Sequence, residues 1–295
     1  MLLLQSRKNL PLENGCEFDH GDVDQTSGRA FVAHTSAGTV EVFDGTEGKW
    51  LRHIPDCTGA SGVIFDHVTG KVFAASRGAG HILTIDPASL AVLNKFETGG
   101  KPNGLAADGK RKVLMTADVG DDTARFHDQE SGKIIATVKL SGRPRWCAYR
   151  AGTDEFLINI KEPSGVELIS AASFKCTRFL NINHKGPHGM ALNGDIAFVA
   201  CDSSVLVALD LNSMKILAEA KLAGSPDVLW YNKKLNLVYC SIGVPGVVQS
   251  FDGTTLKMNQ EVVTESGCHT LAFDEKLQKL YTFLPQSHSI GIYKA

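Results

Sequence analysis

Polar and apolar positions alternate along this chain in runs of five or six residues, and the runs recur in a fixed order. In Gly62-Val-Ile-Phe-Asp66, Lys71 to Ser76, His81 to Asp86 and Ala91 to Glu97 the apolar positions are β-branched or aromatic and follow a period of two. That is the pattern of half-buried strands. Asp-Gly, Ser-Gly and Gly-Gly pairs bound the runs, as they bound hairpins. A matching succession returns at Ala197 to Cys201, Val205 to Asp210 and Lys215 to Leu222. No stretch sustains a helical period.

The repeat begins near Asp19, Ser61, Asn103, Arg145, His188, Asp227 and His269, at spacings of 42, 42, 42, 43, 39 and 42 residues. Four antiparallel strands in about 40 to 45 residues is the arithmetic of a propeller blade, and one blade cannot bury both faces until neighbours stack on it. The spacing therefore predicts an all-β chain, a seven-bladed β-propeller of four-stranded antiparallel blades, filling residues 1–295 as a single domain. The last unit has only three strands, around Leu271, Leu280 and Ile290, whereas residues 1–12 offer one orphan strand. Pairing this N-terminal strand in the last blade closes the ring and removes an unpaired edge.

The stretches Gly70-Lys-Val-Phe-Ala-Ala-Ser, His81-Ile-Leu-Thr-Ile-Asp-Pro-Ala-Ser-Leu-Ala-Val-Leu-Asn-Lys and Gly99-Gly-Lys-Pro-Asn-Gly-Leu-Ala-Ala-Asp-Gly-Lys resemble the repeat of seven-bladed propellers of the YVTN type, also called YncE-like. That resemblance implies the architecture and leaves the activity open, because one fold hosts many functions. Pro187-His188-Gly189-Met190 is locally similar to the Pro-His-Gly-Ile segments of virginiamycin B lyase-type propellers. It implies opening of a cyclic lactone by elimination with help from a bound metal. The paired glutamates of those lyases have no counterpart here, where the shorter Asp227 and Asp19 stand instead.

In a propeller the innermost strands converge on the axis, so the column just before each of them is the candidate site. Its members are all polar: Asp19, Ser61, Asn103, Arg145, His188, Asp227 and His269. Blade order makes His188, Asp227, His269 and Asp19 one arc around the channel mouth, with Arg145 at its flank. Two imidazoles alternating with two carboxylates can hold one divalent metal ion or move protons. The expected catalytic residues are His188, His269 and Asp227; the expected metal ligands are Asp19, Asp227, His188 and His269. Arg145, Asn103, Ser61, Trp146 and His34 are the expected substrate contacts, Arg145 as a carboxylate clamp and Trp146 as an aromatic wall in a slot that is Gly in three other blades. A second tier ends the second strands: His34, Ser76, Arg77, Asp118, Asn159, Asp202 and Ser241, of which Asp118 and Asp202 align with each other. His20 stands behind Asp19, since successive strand residues point opposite ways.

Thirty Lys and Arg against thirty-two Asp and Glu leave a net charge of −2, with no basic block to neutralise a row of phosphates. Nucleic acid is not an expected partner, and the lack of a phosphate loop or dinucleotide fingerprint argues against a nucleotide cofactor. No apolar run reaches the length of a membrane span, and Met1-Leu-Leu-Leu4 is followed at once by polar residues rather than by the apolar core of an export signal. Seven scattered cysteines, Cys16, Cys57, Cys147, Cys176, Cys201, Cys240 and Cys268, are an odd set without a Cys-x-x-Cys pair and fit a reduced, cytoplasmic protein. The expected function is a small-molecule enzyme, a lyase or hydrolase working at the channel mouth on a lactone-like or carboxylate-bearing substrate. The alternatives are a non-catalytic small-molecule or metal-binding propeller and a protein-interaction scaffold.

Overall fold

Asp, Ser and Asn residues end the strands and fix the turns. After third strands, Asp44, Asp86, Asp128, Asp210 and Asp252 each accept hydrogen bonds from the backbone N–H groups two and three residues on. These Asx turns stop one strand and aim the next antiparallel to it. The computed structural model describes residues 1–11 and 17–295. In it the turns join seven four-stranded antiparallel sheets, with no helix among the described residues.

Blade 1 runs Phe18–Asp24, Arg29–His34, Thr39–Asp44 and Lys49–Ile54, from the axis outward. The innermost strands of blades 2 to 7 are Ala60–Asp66, Pro102–Asp108, Pro144–Arg150, Pro187–Asn193, Pro226–Asn232 and Leu271–Asp274. Each touches the next, and the last touches the first, so the sheets form a ring. The terminal strand is Leu3–Asn9, antiparallel to Ser289–Lys294, and it makes the fourth strand of blade 7. The ring is thus closed by the N-terminal strand; Leu12 and Cys16 lie outside the described residues.

The core lies between blades rather than inside any one of them. Phe31, Val40 and Val42 of blade 1 pack with Val63, Val72 and Leu83 of blade 2, and Phe126 of blade 3 meets Phe156 of blade 4 edge-on at 5.2 Å between ring centroids. Burying each such ring contributes about 1.5–3 kcal/mol, so neither blade is stable without its neighbour.

Two local features position the channel mouth. In blades 1 to 6 the register between first and second strands shifts at the start of the first strand, as between Phe18 and Gly21 or Pro187 and Met190. A bulge leaves its extra residues outside the ladder and breaks the alternation of side chains. Four of the bulged strands open with proline, tolerated at a strand's first residue because its missing N–H costs no ladder bond there. Gly62, Gly104 and Gly189 follow the mouth residues, where neighbouring strands nearly collide. A Cβ at Gly189 would sit 2.0 Å from the Asp227 carbonyl oxygen, and one at Gly104 2.6 Å from that of Arg145.

Candidate functional site

The bulges bring most of the first column together at the axis. His188 is held from both sides. Its Nδ1 lies 3.0 Å from Asp202 Oδ1 and its Nε2 accepts from Arg145 Nη1 at 3.0 Å. Accepting at Nε2 and bonding a carboxylate at Nδ1 places the ring proton on Nδ1. Asp227 Oδ1 is 3.1 Å from the same Nε2, but without hydrogen-bond geometry, and it is buried with no hydrogen-bond partner. Asp227 Oδ2 faces His269 Nε2 at 3.7 Å, while His269 Nδ1 donates to the Gly267 carbonyl at 2.8 Å. Burial opposes the charge on Asp202. The hydrogen bond from His188 and the nearby positive charges, Arg145 and Lys161 among them, outweigh that burial and hold its carboxyl below the usual range.

The other half of the arc is tied through Arg77, which donates to Asn103 Oδ1 at 2.8 Å and lies 3.7 Å from Asp19. Asp19 in turn lies 3.2 Å from His20 Nε2. The bulge turns His20 toward the axis alongside Asp19, so strict alternation misplaces it. His20 is 6% exposed, its ring centroid 4.2 Å from that of Trp146 of blade 4. Blades 1 and 4 stand on opposite sides of the ring, so these two rings meet across the channel. Gly62, Gly104 and Gly189 occupy the same slot in three other blades and leave room for them. Burial lowers the His20 pKa, against the pull of Asp19 and Asp227 and with the push of His188 and Arg77, so the imidazole is disposed to stay neutral.

Two expected contacts, Ser61 and His34, and the second-tier Asp118 lie elsewhere. Ser61 is fully buried and its hydroxyl donates to the Pro102 carbonyl at 3.0 Å, which ties blade 2 to blade 3 and leaves nothing for a substrate. His34 is buried inside blade 1, its Nδ1 3.2 Å from Glu41, which also accepts from Thr39 and Trp50. Asp118 is buried beneath Arg125 Nη1 at 2.7 Å, and burial pushes its carboxyl up to about 6 despite that arginine.

The second-tier alignment mixes neighbouring columns, which explains the scatter. Asp118 and His34 are the last residues of their second strands, Val113–Asp118 and Arg29–His34. Asp202 comes one residue after Ile196–Cys201, as Arg77 follows Lys71–Ser76 and Lys161 follows Glu155–Ile160. A shift of one residue turns a side chain to the other face. The column just past the strand thus delivers Arg77, Lys161 and Asp202 to the mouth, and the column before it stays inside the blades. Lys161, 3.8 Å from Asp202, escapes sequence reasoning for this reason, although the repeat register contains the signal. Asn159 and Ser241 belong to a third column; Asn159 donates to the His188 carbonyl of the next blade and Ser241 to the Val228 carbonyl of its own blade's first strand.

Among the described residues, no group of three or more His, Cys, Asp or Glu side chains is arranged to hold a metal ion. Asp227 with His188 and His269 comes nearest in composition, but Arg145 already engages His188 Nε2. The mouth is therefore a network of mutually paired charges in which one imidazole is oriented by a carboxylate and one arginine faces it.

No family model matches the chain. A segment of 109 residues, 36% of the chain, is 34% identical to the uncharacterized protein YncE of Salmonella typhimurium and spans 30% of that protein's length. The chain is a seven-bladed propeller, and its likeness in sequence to YncE is confined to that one segment. Whole-chain likeness comes from structures. The propeller matches the RRP9 WD40 repeats with a TM-score of 0.86 at 11% identity, covering 100% of this chain and 99% of that one. A chain in the crystal structure of the Mitotic Checkpoint Complex matches with a TM-score of 0.84 at 13% identity, covering 99% and 91%. At such identities the likeness is one of fold.

Proposed function

We propose that the channel mouth binds a small carboxylate-bearing molecule and transfers a proton within it, as a lyase or hydrolase does. The observation that carries this reading is His188 held at Nδ1 by Asp202, with its Nε2 facing both Arg145 and Asp227. In the free protein Arg145 donates to that Nε2. A substrate carboxylate that captures the guanidinium in a bidentate pair draws it away and frees the lone pair as a general base. Once Nε2 takes a proton, the imidazolium lies between Asp202 and Asp227, whose negative charges stabilise it. Asp227 Oδ1, unsatisfied before transfer, gains a donor. The proton can then return to a leaving oxygen, the acid half of an elimination or hydrolysis.

The test is a turnover screen over lactones and hydroxy acids with wild type, His188→Asn, Asp202→Asn and Arg145→Met. Expected are a kcat loss of about 10²-fold or more in His188→Asn and a raised KM in Arg145→Met. Equal turnover in wild type and His188→Asn overturns the reading.

A protein-interaction scaffold is the second reading. It draws on the structural neighbours, the RRP9 WD40 repeats and a chain of the Mitotic Checkpoint Complex, and on exposed apolar side chains along outer strands, among them Leu93, Ile135 and Val263. Partner capture that survives His188→Asn but is lost on Leu93→Lys with Ile135→Lys favours it.

A further inference from the structure

Beyond the His20 and Trp146 rings, the channel changes character. A cavity of about 240 Å³ is lined by Trp146, Trp230, Tyr231, Met190 and Leu229, with Glu275 as its one ionisable carboxylate. It adjoins a cavity of about 430 Å³ that shares Ala148 and Trp230 with it and is bordered by Asp22.

We infer that this aromatic end of the channel binds an organic ammonium ion, with the indoles of Trp146 and Trp230 against the cation and Glu275 as its counter-ion. Ring faces attract a cation, tryptophan most strongly, and the attraction grows when water is excluded. Glu275 makes no ion pair among the described residues, although Lys233 and Lys234 border the neighbouring solvent-facing cavity with it. Asp22, at the border of the adjoining cavity, adds a second carboxyl near the site. Its carboxyl is pushed up to about 6, first by burial and also by the like charge of Glu275, against two backbone hydrogen bonds and His67. Two carboxylates that repel one another beside aromatic walls leave a place for a positive charge. The cavity volume suits one ring and an ammonium head, roughly ten heavy atoms. This inference is independent of proton transfer at the polar mouth.

Tryptophan fluorescence titration with benzyltrimethylammonium chloride tests it, with benzyl alcohol as the neutral comparison. Expected is a saturable change retained in Trp50→Phe, whose indole lies on the outer strand Lys49–Ile54. Affinity should fall about fivefold in Glu275→Gln and further in Trp230→Leu, while benzyl alcohol binds at least about fivefold more weakly. Circular dichroism shows whether Trp230→Leu is folded, and Glu275→Gln, an exposed change, carries the test if it is not. Absence of a saturable change, equal binding of the alcohol, or unchanged affinity in Glu275→Gln overturns the inference.

Discussion

The two ends of the channel are built from the same seven strands and differ in almost every physical respect. At the end where the strands begin, bulges point consecutive side chains at the axis, and what collects there is charge: Arg77, Arg145 and Lys161 against Asp19, Asp202 and Asp227, with three imidazoles between them. At the other end the strands pair in regular register past the bulges, and Trp230, Met190 and Leu229 line the space together with Trp146, which is itself a bulged residue. Regular pairing thus leaves an aromatic and aliphatic lining with carboxylates at its border, while broken pairing crowds charged groups together and leaves Asp227 Oδ1 unsatisfied among them.

The sharpest way to break this contrast is to fill the slot that permits it. Gly189→Val drives a side chain into the Asp227 carbonyl 2.0 Å from the ideal Cβ position, and overpacking of this kind costs about 3 kcal/mol or more. A melting temperature roughly 5 °C lower or worse is expected; a melt within one degree of wild type refutes the close approach.

Acidification separates buried imidazoles from buried carboxyls. Burial holds His127 near 4, with the Gly132 carbonyl opposing and Arg125 adding to the effect. Its folded value lies below the unfolded one of about 6.5, so its contribution is full above 6.5 and is lost as pH falls toward 4, a few kcal/mol in all. His20 acts in the same direction. Asp118, raised to about 6, acts oppositely: its contribution is full below about 3.9 and is lost as pH rises toward 6. In denaturant melts, His127→Gln should therefore lose less stability than wild type between pH 6.5 and 4, and Asp118→Asn should lose more. Parallel pH profiles for all three proteins contradict these assignments.

Ser61→Ala sharpens the boundary of the polar end. Losing the hydrogen bond to the Pro102 carbonyl costs about 1 kcal/mol, with no effect on any mouth ligand; a binding loss without a stability loss would return Ser61 to the site. A similarly small effect belongs to Trp146→Phe, which keeps an aromatic ring against His20. Less than about 1.5 kcal/mol is expected, together with loss of the Trp146 share of the fluorescence. A larger loss would make the indole a structural keystone rather than a partition.

Much of this protein is written in short-range chemistry. The period near 42 residues set the blade count, and turn-forming Asp residues with paired glycines set the strand ends, because a turn needs only three or four adjacent residues. The orphan strand Leu3–Asn9 and the three-stranded last unit already implied how the ring closes. Most of the first polar column was also legible, although in blades 1 to 6 it falls on the second residue of the innermost strand rather than before it, and Ser61 turns away from the mouth. Register was not legible. Whether Asp118 or Asp202 reaches the mouth turns on a single residue, and a one-residue slip reverses the face on which a strand side chain stands. Nor could alternation foresee His20 beside Asp19, because the bulge that aligns them is settled by how closely neighbouring first strands approach across Gly62, Gly104 and Gly189. The contact of His20 with Trp146, 126 residues apart in sequence and 4.2 Å apart in space, exists only once seven blades have closed. Local sequence chose the strands and their turns; the closed ring chose which side chains meet, because only closure fixes the width of the axis.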